Sequence, residues 1–554
     1  LAAVLAEQVA RIAEDESLSS RIAHIFADNS LSIAPLVDID GRRYLLAVVN
    51  QITGKLLFGV ADDMSVFIGN NMIGLSDDLR IASDSGREWV SVKDGKLRFF
   101  DLEFEISEKR GIFLNDRVGR CLFGISWNGT VHAAGLVLPE SLNVDFTEVY
   151  DDIQKAESLT VGQQKIADVN HEIMYGQSLS ISTTAAVPLL STSQPYQNIM
   201  LAGGVIRRAG DAGYDSNTTA PLVEQGRETP VSGLINGLSK RIDDAFDVTL
   251  PVFLGSSTGE GGKSIQYLSA PEFGGGSPNR FDQTIQYVRD CKALFDSQDK
   301  TYVVSSYHWI QGENDINTPT YVYAQRLRHL KQELDKRIMA ITGQDFRPYM
   351  FMYQTAAHLK YGRTRFGAAL PQLALCREFD DMVMAVPAYA MPTLDDDLHL
   401  TNEGAWLMGQ YFARAAFETR FSYRKFEPLM PVSVKWSGTT IDVVYNNTSA
   451  LVLDNVLCTL TPNFGFDIFK DVVDTDAISS VVVHDFNTIR ITLTTTQPMT
   501  AVLTCGRGRF DDGAFAGNIR GARTNVRDSA GAVDTVTSPS GAVYAMHNPS
   551  VMFQ

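Results

Sequence analysis

The sequence predicts a multidomain chain whose centre is an α/β domain, a parallel sheet flanked by helices. An N-terminal helix and a β-rich module precede it, and a C-terminal β-sandwich follows. Three observations carry this expectation. The chain has 554 residues, well beyond the roughly 250–300 at which a single hydrophobic core stops growing. Between residues 166 and 424, apolar strand-like runs alternate with helical stretches, as in a sheet covered on both faces. On either side of that region, short runs of β-forming residues are separated by turn signals.

Taken in order, Leu5, Val9 and Ile12 and then Leu18, Ile22 and Ile25 recur at spacings of three and four, an apolar stripe along a helix over residues 1–30. It reads either as a short coiled-coil stalk or as an amphipathic helix packed on its own domain. Residues 31–150 form the β-rich module, with strand-like runs such as Tyr44 to Val49 and Leu56 to Val60 after Asp40-Gly41 and Thr53-Gly54. The α/β domain is expected over 151–427. Its strands are read at Ile173-Met174, Leu250 to Leu254, Tyr302 to Val304, Tyr349 to Tyr353 and Met382 to Val386. Its helices are read at Leu234 to Ala245, Thr284 to Phe295, Tyr323 to Ile341 and Asn402 to Phe417. Over 428–554, runs such as Thr440 to Tyr445 and Ile489 to Leu493 alternate as half-buried strands do, which predicts the sandwich.

Composition narrows the function classes. With 44% hydrophobic and 20% charged residues, the chain has the make-up of a folded protein. A formal net charge of −17 repels nucleic acid and anionic membrane surfaces, so neither partner is expected. No apolar stretch reaches the ~18 residues that indicate a membrane span. Cys121, Cys291, Cys376, Cys458 and Cys505 are odd in number and scattered, which indicates free, mostly buried thiols and no disulfide framework or zinc site. The chain starts at Leu1 with neither a methionine nor a secretion-signal pattern, and a processed product or a fragment is expected.

Four polar elements fall at the ends of predicted strands, where ligands sit in parallel sheets. Ser178 follows Glu172-Ile173-Met174 through Tyr175-Gly176-Gln177; taken alone it is a nucleophile or a helix cap. Gly259-Glu260-Gly261-Gly262-Lys263-Ser264 follows the Phe253 run and offers backbone N–H donors. Trp309-Ile310-Gln311-Gly312-Glu313-Asn314-Asp315 follows the Tyr302 run; Asn314 can donate to a developing oxyanion, and Gln311 is expected to touch substrate. Asp396-Asp397-Leu398-His399 precedes the last helix, a spacing that lets the carboxylate orient one imidazole nitrogen while the other faces a serine. A metal site in the Asp395–Asp397 run is disfavoured, because hard cations need a more organised oxygen cage.

In this order the elements resemble the SGNH (GDSL-type) hydrolase family, and within it the carbohydrate esterases similar to sialate O-acetylesterases. The resembling blocks are Gly176-Gln177-Ser178, Gly312-Glu313-Asn314-Asp315 and Asp396-Asp397-Leu398-His399. The first block departs from the family's common Gly-Asp-Ser at Gln177 and from the branch's Gly-Gln-Ser-Asn at Leu179. Among the glycines, chain order favours Gly262, with Gly259, Gly261 and Gly233 as other candidates. An α/β-hydrolase elbow is disfavoured because Ser180 stands where Gly-x-Ser-x-Gly needs glycine.

The resemblance implies a serine esterase with Ser178, Asp396 and His399 as the triad. It places the oxyanion between the Ser178 N–H, a glycine near Gly262 and the Asn314 side chain, with no metal and no organic cofactor. The order of modules resembles bacteriophage tailspike or tail-fibre proteins. That likeness implies a homotrimer, an O-acetylated bacterial polysaccharide as substrate, a place in the virion tail and contacts with other tail proteins. A glycan-binding protein without turnover and a lipid or thioester hydrolase are the alternatives.

Overall fold

The computed structural model describes residues 166–554, apart from 247, 364, 423–424, 470–472, 475, 499 and 510–514, and the strand backbone within residues 31–133. The chain divides into two compact units, 1–150 and 151–554. In the first, the strands from Leu31–Ile39 to Asn71–Ile73 form a five-stranded sheet, and those from Arg80–Ala82 to Val131–Ala133 a seven-stranded one. Both are antiparallel meanders in which strands adjacent in sequence pair. The helix expected over residues 1–30 lies outside the described residues.

The second unit is built on a mixed seven-stranded sheet flanked by helices. Its strands are β1 (Val169–Gly176), β2 (Ile199–Leu201), β3 (Thr219–Pro221), β4 (Phe253–Ser257), β5 (Tyr302–Ile310), β6 (Tyr349–Gln354) and β7 (Met382–Pro387). They lie in the order β3-β2-β4-β1-β5-β6-β7. All pairs are parallel except β2 with the edge strand β3. The antiparallel edge departs from the all-parallel expectation. Three residues each, β2 and β3 are too short to leave a periodic signal in the sequence.

The central strand β1 is buried at all eight positions although it reads Val-Asn-His-Glu-Ile-Met-Tyr-Gly. Its polar groups are paired, as buried polar groups must be. His171 lies 2.6 Å from the Tyr302 hydroxyl and 2.7 Å from Ser256 Oγ, and burial lowers its pKa to about 3. Glu172 accepts from Arg420 at 2.5 Å and lies 3.1 Å from His308 Nε2. Burial alone would raise its pKa, but Arg420 and His308 hold it below the usual value.

The helices are α1 (Ser178–Ile181), α2 (Pro230–Ala245), α3 (Arg280–Asp296), α4 (Thr320–Thr342), α5 (Ala369–Glu378) and α6 (Asn402–Arg420). Their starts follow capping chemistry. Thr229 accepts from the Val231 N–H with Pro230 at the first position, Asn279 from Asp282, and Thr401 from Gly404. α2 runs close along α6, where a Cβ on Gly233 would stand 2.3 Å from the Trp406 carbonyl oxygen. Gly233 is therefore a packing residue within a helix and no candidate for an oxyanion donor. Leu234, Ile235, Leu238, Met408, Tyr411 and Phe412 fill the main core around these helices, each large side chain contributing roughly 1.5–3 kcal/mol of burial.

The region after α6 is β-rich. A four-stranded sheet contains Pro431–Ser437, Thr440–Tyr445, Thr488–Leu493 and Ile478–Asp485, and a three-stranded one contains Phe466–Phe469 and Val502–Cys505. Ile441, Val443, Ile489 and Ile491 of the first share a buried core with Phe466, Ile468, Leu503 and Cys505 of the second. The tail returns to the α/β region: Gln354 exchanges two hydrogen bonds with Met552, and Arg414 donates to the Met546 carbonyl at 2.5 Å. Cys291, Cys376, Cys458 and Cys505 are free and buried. Among the described residues no helix is long and apolar enough to cross a membrane.

Candidate active site

The four predicted elements leave the carboxyl ends of β1, β4 and β5 and the stretch after β7. Crowding between β1 and β5 shapes the serine turn. Gly176 has φ +151°, and a Cβ there would lie 2.0 Å from the Ile310 carbonyl oxygen, so only glycine fits. The Gln177 N–H donates to that same oxygen at 2.8 Å. The chain then turns into α1, whose first residue, Ser178, is half-buried.

The glycine loop runs beside this turn. The Glu260 N–H donates to the Gly176 carbonyl at 2.9 Å, and a Cβ on Gly259 would meet that oxygen at 2.5 Å. A Cβ built on Gly261 would stand 3.7 Å from Ser178 Cβ, whereas one on Gly262, at φ +67°, would meet nothing within 4 Å. Of the two glycines, the contact with the serine thus falls on Gly261, one residue before the favoured Gly262.

The third element forms a single 3₁₀ turn, Glu313–Asp315. The Asn314 N–H donates to Gln177 Oε1 at 3.3 Å, which ties this turn to the residue before the serine, and the Asn314 side chain is exposed. Gln311 has the opposite placement. It is fully buried; its amide nitrogen donates to Asp315 and to the Lys263 carbonyl, and its amide oxygen accepts from Tyr323. It holds the loop together from inside, with no exposed surface. Asp315 joins two elements, since one of its oxygens accepts from the Ile265 N–H at 2.7 Å beyond the glycine loop.

In the fourth element, His399 Nδ1 and Asp396 Oδ2 are 2.5 Å apart, and Asp396 Oδ1 accepts from the Leu398 and His399 N–H groups at 3.0 and 2.9 Å. Burial alone would raise the Asp396 pKa, but these hydrogen bonds hold it below the ordinary value. An ionised carboxylate is an acceptor only, so Nδ1 carries the proton and Nε2 is left as the basic nitrogen. His399 and Asp396 retain 27% and 45% side-chain exposure, leaving the pair open to solvent and ligand. Among the described residues no group of His, Cys, Asp or Glu is placed to hold a metal ion.

Three neighbours escaped the sequence analysis as individual residues. Glu313 is buried and accepts from Tyr353 and Thr355, while its Oε2 has no partner. Burial raises its pKa, and it is close enough to His399 to feel that residue's charge. Lys360 donates to the Asp396 carbonyl at 2.5 Å, and beside it Tyr361 stands 48% exposed. A polar run read mainly for its asparagine concealed the first. The other two, Lys360 and Tyr361, lie in a loop with no motif.

The arginines of the stretch 517–528 are paired within the C-terminal region and with the Asp396 loop. Arg520 meets Asp397 at 2.7 Å, Arg527 meets Asp454 at 3.1 Å, and Arg523 donates to the carbonyls of Thr459 and Gly521.

No family model matches the sequence, and no curated protein matches it. Among solved structures the chain is similar to a carbohydrate acetylesterase from Xanthomonas citri, with a TM-score of 0.44 and 12% identity over 69% of this chain and 79% of that one. It is also similar to a protein from Arabidopsis thaliana, with a TM-score of 0.33 and 15% identity over 45% and 98% of the two chains. A third is NanS, with a TM-score of 0.33 and 11% identity over 47% and 100%.

Proposed function

We propose that the chain is a serine esterase of the SGNH kind that removes O-acetyl groups from a bacterial surface polysaccharide. The observation that carries this reading is the Asp396–His399 pair, whose 2.5 Å contact leaves one imidazole nitrogen free in the same α/β unit as the Ser178 turn. Ser178, Asp396 and His399 are assigned as nucleophile, orienting acid and general base. His399 takes the Ser178 proton as Oγ attacks the acetyl carbonyl, then protonates the departing sugar oxygen; water repeats the cycle on the acyl-enzyme. The oxyanion is assigned to the Ser178 N–H, a glycine N–H at Gly261 or Gly262 and the Asn314 side chain.

A saccharide as the alcohol part suits the exposed ring of Tyr361 beside the Asp396 loop, since a flat aromatic face can cover a sugar ring. The two sheets of the C-terminal region that share one core suit a β-sandwich. The domain limits 1–30, 31–150, 151–427 and 428–554, the homotrimer and the tailspike-like setting rest on the order of modules along the sequence. Light scattering tests the trimer, and a monomer at micromolar concentration overturns it without touching the esterase reading. The experiment for the function is acetate release from O-acetylated polysaccharide, followed by NMR of the acetyl signals. An unchanged acetyl content, together with no hydrolysis of p-nitrophenyl acetate, refutes it.

A further inference from the structure

The turn bearing Asp396 and His399 is held from outside the α/β region. Between the two stands Asp397, at φ +54°, a left-handed conformation that a residue other than glycine keeps only where its surroundings impose it. Its N–H donates to the Leu394 carbonyl at 2.9 Å, and its own carbonyl accepts from the Ala516 N–H at 3.0 Å. Its carboxylate accepts from Arg520 at 2.7 Å, and the Arg520 guanidinium lies 3.9 Å from the centroid of the Phe515 ring. Both partners come from the C-terminal β-rich region, more than a hundred residues along the chain.

A small apolar cluster repeats the arrangement. Ile316, Ala357 and Ala516 are buried together, with Leu398 packed against them. Ile316 follows the Asn314 turn, Ala357 follows β6, and Leu398 adjoins His399. One alanine of the C-terminal region thus completes a core beneath three loops of the site. Next to it, a Cβ on Gly517 would stand 2.8 Å from Thr393 Oγ1, so the segment lies flush against the start of the catalytic turn.

We propose that Arg520 is a positioning residue that acts through Asp397, and that with residues 515–517 it holds the Asp396–His399 turn in its working geometry. The C-terminal β-rich region then forms part of the esterase site. This proposal rests on reading Asp396 and His399 as acid and base. The Arg520 side chain is 49% exposed, and an ion pair so open to water adds little to global stability. Its loss should therefore appear in catalysis and not in folding.

The test compares wild type, Arg520→Ala, Arg520→Lys, Asp397→Asn and the Arg520→Ala/Asp397→Asn double variant on p-nitrophenyl acetate, with Ser178→Ala as control. Arg520→Ala should lower kcat by about 10- to 100-fold, the size of loss that small misplacements of a catalytic group cause, with KM and melting temperature unchanged. Arg520→Lys should recover part of the loss, since an ammonium can reach the same carboxylate. The double variant should be no worse than the poorer single one, because both break one link.

Wild-type kcat in Arg520→Ala, or losses that multiply in the double variant, overturns the proposal. Should Arg520→Ala fail to fold, Asp397→Asn reads the same link, since asparagine tolerates the left-handed conformation; wild-type kcat there overturns the proposal equally. If the wild type does not cleave the ester, or Ser178→Ala cleaves it as well, the esterase reading falls and this proposal with it. Ser178-dependent activity that stays at the wild-type level in Arg520→Ala removes the proposal alone.

Discussion

Glu172 and Arg420, 248 residues apart in sequence, meet at 2.5 Å in the interior, with side-chain exposures of 0% and 3%. The pair fastens the middle of β1 to the last turn of α6, the two elements that lead respectively into Ser178 and away from His399. A buried carboxylate is tolerated there because Arg420, His308 and Ser306 all address it.

Replacing Arg420 with alanine should therefore destabilise the second unit by about 3–5 kcal/mol, the cost of leaving a buried charge unpaired. Urea unfolding of the two proteins measures it. A difference below about 1 kcal/mol, the range of exposed pairs, would show that Glu172 finds another partner or takes up a proton.

Ser178→Ala should abolish ester hydrolysis and leave the circular dichroism spectrum and melting temperature unchanged, because the half-buried hydroxyl is not needed to form the turn made by Gly176 and Gln177. Activity close to wild type removes Ser178 from the mechanism.

For Asn314→Ala, kcat should fall by roughly 10²–10³ with a smaller effect on KM, as loss of one oxyanion donor does. The backbone link from Asn314 N–H to Gln177 remains in the variant, so the serine turn stays in place. A rise confined to KM would make Asn314 a ground-state binding residue.

Hydrolysis should survive EDTA, because the reaction assigned to this site uses only the triad and the oxyanion donors. Loss of activity on chelation, restored by a divalent cation, would overturn that assignment.

Stability should fall as pH rises through a window set by Glu224. Burial, and next the charge of Glu228, push its pKa from 4.5 up to about 8, and its Oε2 has no partner. Between those two values the folded protein holds a proton that the unfolded chain has released, so raising the pH favours unfolding. Glu224→Gln should flatten the decline in melting temperature across that window. Parallel curves for the two proteins would show that another group sets the dependence.

Sequence pattern located the α/β region well where side chains are apolar. Met382 to Val386 and Asn402 to Phe417 match β7 and α6 within a few residues. It found only Glu172-Ile173-Met174 of the eight residues in β1, since Asn170 and His171 look like solvent-facing residues until their partners are known. The short strands β2 and β3 and the helix α5, with almost no amphipathic contrast, gave no periodic signal.

The sequence by itself determined the chemistry on offer. A serine after a strand, an asparagine after another and an acid three residues before a histidine are local facts of spacing, and the Asp396–His399 contact at 2.5 Å is the short-range geometry that such spacing allows. Tertiary structure alone decided which groups face outward. It buried Gln311 inside its own loop and set Gly261 against Ser178, and it brought Arg520 to Asp397. The physical reason is that hydrogen-bond partners and burial depend on segments brought together by folding from opposite ends of a chain, and no local pattern of residues records which segments those are.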